Sequence, residues 1–124
     1  MIKCKSENAR YSCKTNFGGN IIQSDATSDK GGHENGIRPH DILATAFASC
    51  LNISVRMACD KKGISFDNLT TKVELIRKDS KTIFAYEIEF SNRISEDTIN
   101  EIYKMVENCP VRKTLSKPIE FQLV

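Results

Sequence analysis

No Cys-x-x-Cys pair occurs among the five cysteines of this chain. That absence excludes the local spacing of a zinc finger or a thioredoxin-type redox hairpin, and the odd count argues against a closed disulfide framework. No run of five or more basic residues is present and the net charge is only +2, so nucleic acid is not an expected partner. The N-terminus, Met-Ile-Lys-Cys-Lys-Ser-Glu, lacks an apolar signal core, and no segment approaches ~18 uninterrupted apolar residues. A soluble, cytoplasmic protein that makes no membrane contact is the expectation. No histidine or cysteine stands at ligand spacing from His33, so neither a metal nor a cofactor is expected. There is no internal repeat and no low-complexity tract.

What is present fits one domain over residues 1–124. A chain this short often completes its core with a second subunit. Arg10 to Phe17 and Asn20 to Ser24 flank Gly18-Gly19 and predict a hairpin. Residues 25–38 are polar, carry three glycines and read as a loop long enough to form a lid or rim. Pro39 suits a first helical position and Asp41 the first turn. The helix should run to about Lys62, with Lys61 and Lys62 at its negative end and Gly63 as its cap.

Two strands are expected next, Thr71 to Ile76 and Ile83 to Phe90, joined by a turn at Lys78–Lys81. Ser95 should cap a second helix with Ile99, Ile102, Tyr103 and Val106 at helical spacing. Cys109-Pro110 starts a short third helix, and Pro118 to Val124 alternates as a last strand. The order ββ-α-ββ-αα-β is an α+β fold with mostly antiparallel strands. The helix 39–62 is apolar on most of its surface, from Ile42 and Leu43 through Phe47 and Leu51 to Met57 and Ala58. A helix apolar nearly all round is buried nearly all round, which points to a second copy of the chain covering it.

Two of the five thiols stand apart. Cys50 lies in the middle of the apolar helix. Cys109 precedes a proline at a helix N-terminus, where free N–H groups and the dipole favour a thiolate, and Arg112 and Lys113 push the same way. Cys4, Cys13 and Cys59 read as small packing residues.

The pattern Pro39-x-Asp41-Ile-Leu-x-x-x-x-x-Ser-Cys50, the Lys-Lys-Gly-Ile64 helix end, and Cys109-Pro-Val-x-Lys-Thr-Leu-Ser-x-Pro-Ile119 together resemble the OsmC/Ohr family over essentially the whole chain. The resemblance implies an intertwined homodimer with two long central helices wrapped by sheets. It also implies a thiol-dependent peroxidase that reduces organic hydroperoxides and is recycled by an external dithiol. By the same resemblance Cys50 is the peroxidatic cysteine, Cys109 resolves it, and Arg10 is the best match to the arginine that activates the thiolate. The family holds that arginine with a glutamate ten residues before the peroxidatic cysteine. Here that position is His40, and the acid, Asp41, comes one residue later. Ten residues span ~15 Å of helix, so neither side chain reaches the Cys50 of its own chain. The alternative function is an OsmC-like dimer that binds an apolar ligand and whose thiols are redox-sensitive without being catalytic.

Overall fold

A computed structural model describes residues 1–124. The chain forms two compact units, Met1–Leu43 and Ala44–Val124.

In the first unit three antiparallel strands lie in chain order: β1 (Lys3–Ser6), β2 (Cys13–Phe17) and β3 (Asn20–Ser24). The β2–β3 hairpin closes on Gly18 and Gly19, whose φ values of +54° and +83° are those a two-residue primed turn demands. β1 is additional to the expected strands. Its sequence, Lys-Cys-Lys-Ser, shows no apolar alternation, and all four residues are exposed. The strand expected from Arg10 begins only at Cys13. Residues 8–12 turn instead: Ser12 N–H donates to Ala9 C=O, Glu7 N–H donates to Ser12 C=O, and Tyr11 adopts φ +63°.

The segment 25–38 is a loop, as expected, and its backbone is tied down. The buried Asp25 carboxylate accepts from the backbone N–H groups of Ala26, His33 and Asn35. Glu34 accepts from both the N–H and the hydroxyl of Ser28, where a short 3₁₀ turn, Ser28–Lys30, begins. These side chains pair the loop's backbone groups, which a sheet would otherwise have to do.

Helix α1 (Pro39–Lys62) has the expected bounds. Asp41 in its first turn pairs bidentately with Arg38, at 2.7 and 2.9 Å. Gly63, at φ +65°, caps its end, with Ile64 N–H returning to Cys59 C=O.

In the second unit β4 (Leu69–Lys78) and β5 (Lys81–Phe90) form a long antiparallel ribbon in which Val73 faces Tyr86 and Leu75 faces Phe84. Both strands extend beyond their expected ends. Helix α2 (Glu96–Val106) starts at Ser95, whose side chain accepts from Thr98 N–H, and α3 (Pro110–Leu115) starts at Pro110. The core is the i, i+4 row Phe47, Leu51, Val55 and Cys59 of α1, closed by Ile102, Val106 and Cys109. Phe47 packs edge-on against Phe84 and Tyr86, with ring centroids 5.7 and 5.6 Å apart, in the arrangement aromatic quadrupoles favour. By length and composition α1 would also suit a membrane span. In this fold its Phe47–Cys59 row is the core of the second unit instead.

Within a single chain α1 is not covered all round: Leu43, Ile53 and Met57 are exposed, the side left for the expected second copy. One expectation needs correction. Residues 118–124 form no strand, and Phe121 and Leu123 are about fully exposed. Alternation marks the two faces a strand would have, but a strand exists only where a neighbouring edge takes up its N–H and C=O groups. Within a single chain no edge does so here.

Candidate active site: a two-thiol centre

Cys50 and Cys109 are 59 residues apart in sequence, and their sulfurs are 3.0 Å apart. Two constraints bring them together. Cys50 lies on α1 next to the buried residue Leu51. Cys109 follows α2 directly, its N–H bonded to Val106 C=O and its C=O accepting from Lys113. Pro110 occupies the first helical position after it, which its fixed φ suits. Both thiols are free. Cys109 is only 1% exposed, whereas Cys50 is half-buried.

The surroundings separate the two sulfurs electrostatically. Burial would raise the Cys109 thiol. The hydrogen bond with Cys50, the Arg112 N–H, the Ser54 hydroxyl and the Val111 N–H outweigh it and hold Cys109 below its ordinary range. Burial pushes Cys50 up, and its hydrogen bond with Cys109 adds to that; the Val111 N–H and the Ser54 hydroxyl pull the other way. The two sulfurs are within hydrogen-bond distance of each other, and their surroundings favour ionisation at Cys109 over Cys50.

Ser54 is a site residue that the sequence does not single out. It stands one turn after Cys50, so the i, i+4 spacing carried the signal. Arg112 acts through its backbone N–H, while its guanidinium donates to the Tyr86 hydroxyl at 3.3 Å. Arg10 lies in the 8–12 turn of the first unit. Its guanidinium donates to the Tyr11 hydroxyl at 2.8 Å and lies 4.7 Å from that ring's centroid.

A half-buried thiol touching a buried one, on a long helix backed by an antiparallel ribbon, defines the class: an α+β protein with a two-thiol centre. The chain belongs to the OsmC-like protein family, whose pattern matches residues 31–124. Solved structures share its fold. An OsmC-like protein from Mycoplasma pneumoniae superposes with a TM-score of 0.73 at 22% identity, covering 93% of this chain and 85% of that one. A protein from Psychrobacter arcticus 273-4, described as an osmotic stress induced and detoxification response protein, gives 0.77 at 22%, with coverage of 91% and 85%. The organic hydroperoxide resistance protein OhrB of Bacillus subtilis gives 0.68 at 16%, with coverage of 94% and 90%. No curated protein matches the sequence.

Proposed function

We propose that the chain is a thiol peroxidase for organic hydroperoxides, with Cys50 peroxidatic and Cys109 resolving. The observation that carries this reading is the 3.0 Å sulfur contact in which Cys50 is the more open thiol. A hydroperoxide ROOH meets Cys50 first. The Cys50 thiolate attacks the distal oxygen, the O–O bond breaks, and ROH leaves with a proton, giving Cys50 sulfenic acid. Cys109 is already the more acidic sulfur and is in contact. Its thiolate attacks the Cys50 sulfur and expels the hydroxyl as water, forming the Cys50–Cys109 disulfide. An external dithiol returns both thiols by exchange and is itself oxidised to a disulfide.

The first step is the demanding one, because burial disfavours ionised Cys50. A cation must offset that, and Arg10 is the proposed source: its partner is a phenol rather than a carboxylate. The apolar side chains Ala46 and Phe47, one turn before Cys50 on α1, suit an alkyl or lipid hydroperoxide better than hydrogen peroxide.

The functional unit in this proposal is a homodimer of one OsmC-like domain, 1–124, in the cytoplasm. The family match spans residues of both compact units. The open side of α1 and the unpaired alternating tail 118–124 are the surfaces a second copy would cover.

One observation favours a second reading. The groups acting on Cys50 are burial, Cys109, a backbone N–H and a hydroxyl, none of them a cation, as in an apolar-ligand binder with incidental thiols. Turnover decides between the two. The peroxidase reading expects catalytic consumption of cumene hydroperoxide with a dithiol reductant, abolished in Cys50→Ser. Consumption no faster than in Cys50→Ser would leave the binding reading.

A further inference from the structure

The N-terminal hairpin holds a second pair of thiols that the centre above does not use. In the β1–β2 ladder Cys4 faces Thr15 and Ser6 faces Cys13. Cys4 and Cys13 are therefore diagonal neighbours, and alternation puts residues 4, 6, 13 and 15 on one face of the ladder. In a flat ladder diagonal positions stand ~7–8 Å apart, just outside the ~4.4–6.8 Å span of Cα atoms that a disulfide bridges. Strand twist shortens one of the two diagonals. Here the two thiols lie close enough to shift each other's acidity, Cys4 downward and Cys13 upward. Cys4 is exposed and Cys13 half-buried, so the expectation that both are inert packing residues does not hold. β1 is a four-residue edge strand, and a small inward shift of that edge is all a bridge requires.

We propose that Cys4 and Cys13 form a second redox couple, an exposed dithiol that exchanges with low-molecular-weight disulfides and closes to a cross-strand Cys4–Cys13 disulfide. Cys4 is the entering nucleophile. Its sulfur is the exposed one of the pair, and the neighbouring Thr15 hydroxyl and Cys13 thiol pull its pKa down while Cys4 pushes that of Cys13 up. The Cys4 thiolate attacks one sulfur of RS–SR. That S–S bond breaks, one RS⁻ leaves and takes up a proton, and a Cys4–S–S–R mixed disulfide remains. Cys13 then loses its proton to solvent and attacks the Cys4 sulfur, releasing the second thiol. In sum, two protein thiols and one small disulfide become one protein disulfide and two small thiols.

The test uses the full chain as Cys50→Ser/Cys109→Ser, so that its outcome is independent of the peroxidase reading. Titration with glutathione disulfide at fixed glutathione, followed by peptide mapping, should show a Cys4–Cys13 cross-link with Cys59 still reduced. Cys13→Ser in the same background should stop at a glutathione adduct on Cys4, and Cys4→Ser should lose the cross-link entirely. The wild-type chain, mapped the same way, keeps the test open if the double variant fails to fold. Adducts scattered over both cysteines without a cross-link, or cross-links only between chains, would overturn the proposal.

Discussion

At the residue scale the two thiols were legible in the sequence because their local settings are written there: an apolar helix around Cys50, and a proline after Cys109 at a helix start. Their partners were less so. Ser54 and the N–H groups of Val111 and Arg112 act on the sulfurs only because two helices meet, and that meeting is a long-range fact. Arg10 looked like a strand residue, but the left-handed Tyr11 beside it makes the segment turn. A single alkylation experiment separates these contributions. Ser54→Ala removes a donor from both sulfurs, so the pH at which each thiol becomes reactive should rise. Arg10→Met should slow Cys50 by about tenfold or more, one pKa unit being ~1.4 kcal/mol. Arg112→Met keeps its backbone N–H and should leave the acidity of Cys109 nearly unchanged. Rates against pH for each variant check all three. An Arg10→Met profile that overlays the wild type would remove Arg10 from the account.

At the element scale, periodicity located α1, α2 and the β4–β5 ribbon, since each carries its pattern along its own length, and the proline after Cys109 placed α3. It missed β1, whose residues are polar on both faces and are held by pairing with β2 alone. It placed the loop 25–38 but not its order, because the glycines there advertise freedom, while the contact that removes that freedom is one buried carboxylate. Backbone hydrogen bonds from Asn35, Ala26 and His33 hold Asp25 below the ordinary carboxylate range, against the burial that would raise it. The sign of the pH effect follows. The folded value is the lower one, so the stabilisation is present above the ordinary Asp value of 3.8 and is lost as pH falls through the folded value. Amide exchange at His33 and Asn35 should therefore show protection at neutral pH that disappears in acid, and Asp25→Ala should lack it throughout. Unchanged protection in Asp25→Ala would assign the loop's order to other contacts.

At the scale of the whole molecule, the features that misfit a single chain fall into one pattern. Ile53 and Met57 on α1 and Phe121 and Leu123 in the tail are apolar and exposed, and the tail alternates like a strand without a ladder. Unpartnered apolar faces of this kind mark interaction surfaces, and the proposed second copy would cover both at once. Sedimentation equilibrium at micromolar concentration should give a species of twice 14.0 kDa, and Ile53→Asp should shift it toward the monomer. A folded wild-type monomer would contradict the dimer. The central claim concerns the 3.0 Å contact, and stoichiometric oxidation tests it most directly. With Cys4 and Cys13 replaced by serine, one equivalent of cumene hydroperoxide should convert the chain to a Cys50–Cys109 disulfide found by peptide mapping. Cys109→Ser in that background should accumulate a Cys50 sulfenic acid that a selective probe labels. A Cys50 that stays reduced, or a Cys50→Ser chain that accumulates a sulfenic acid on Cys109 just as readily, would contradict the assignment of the two roles.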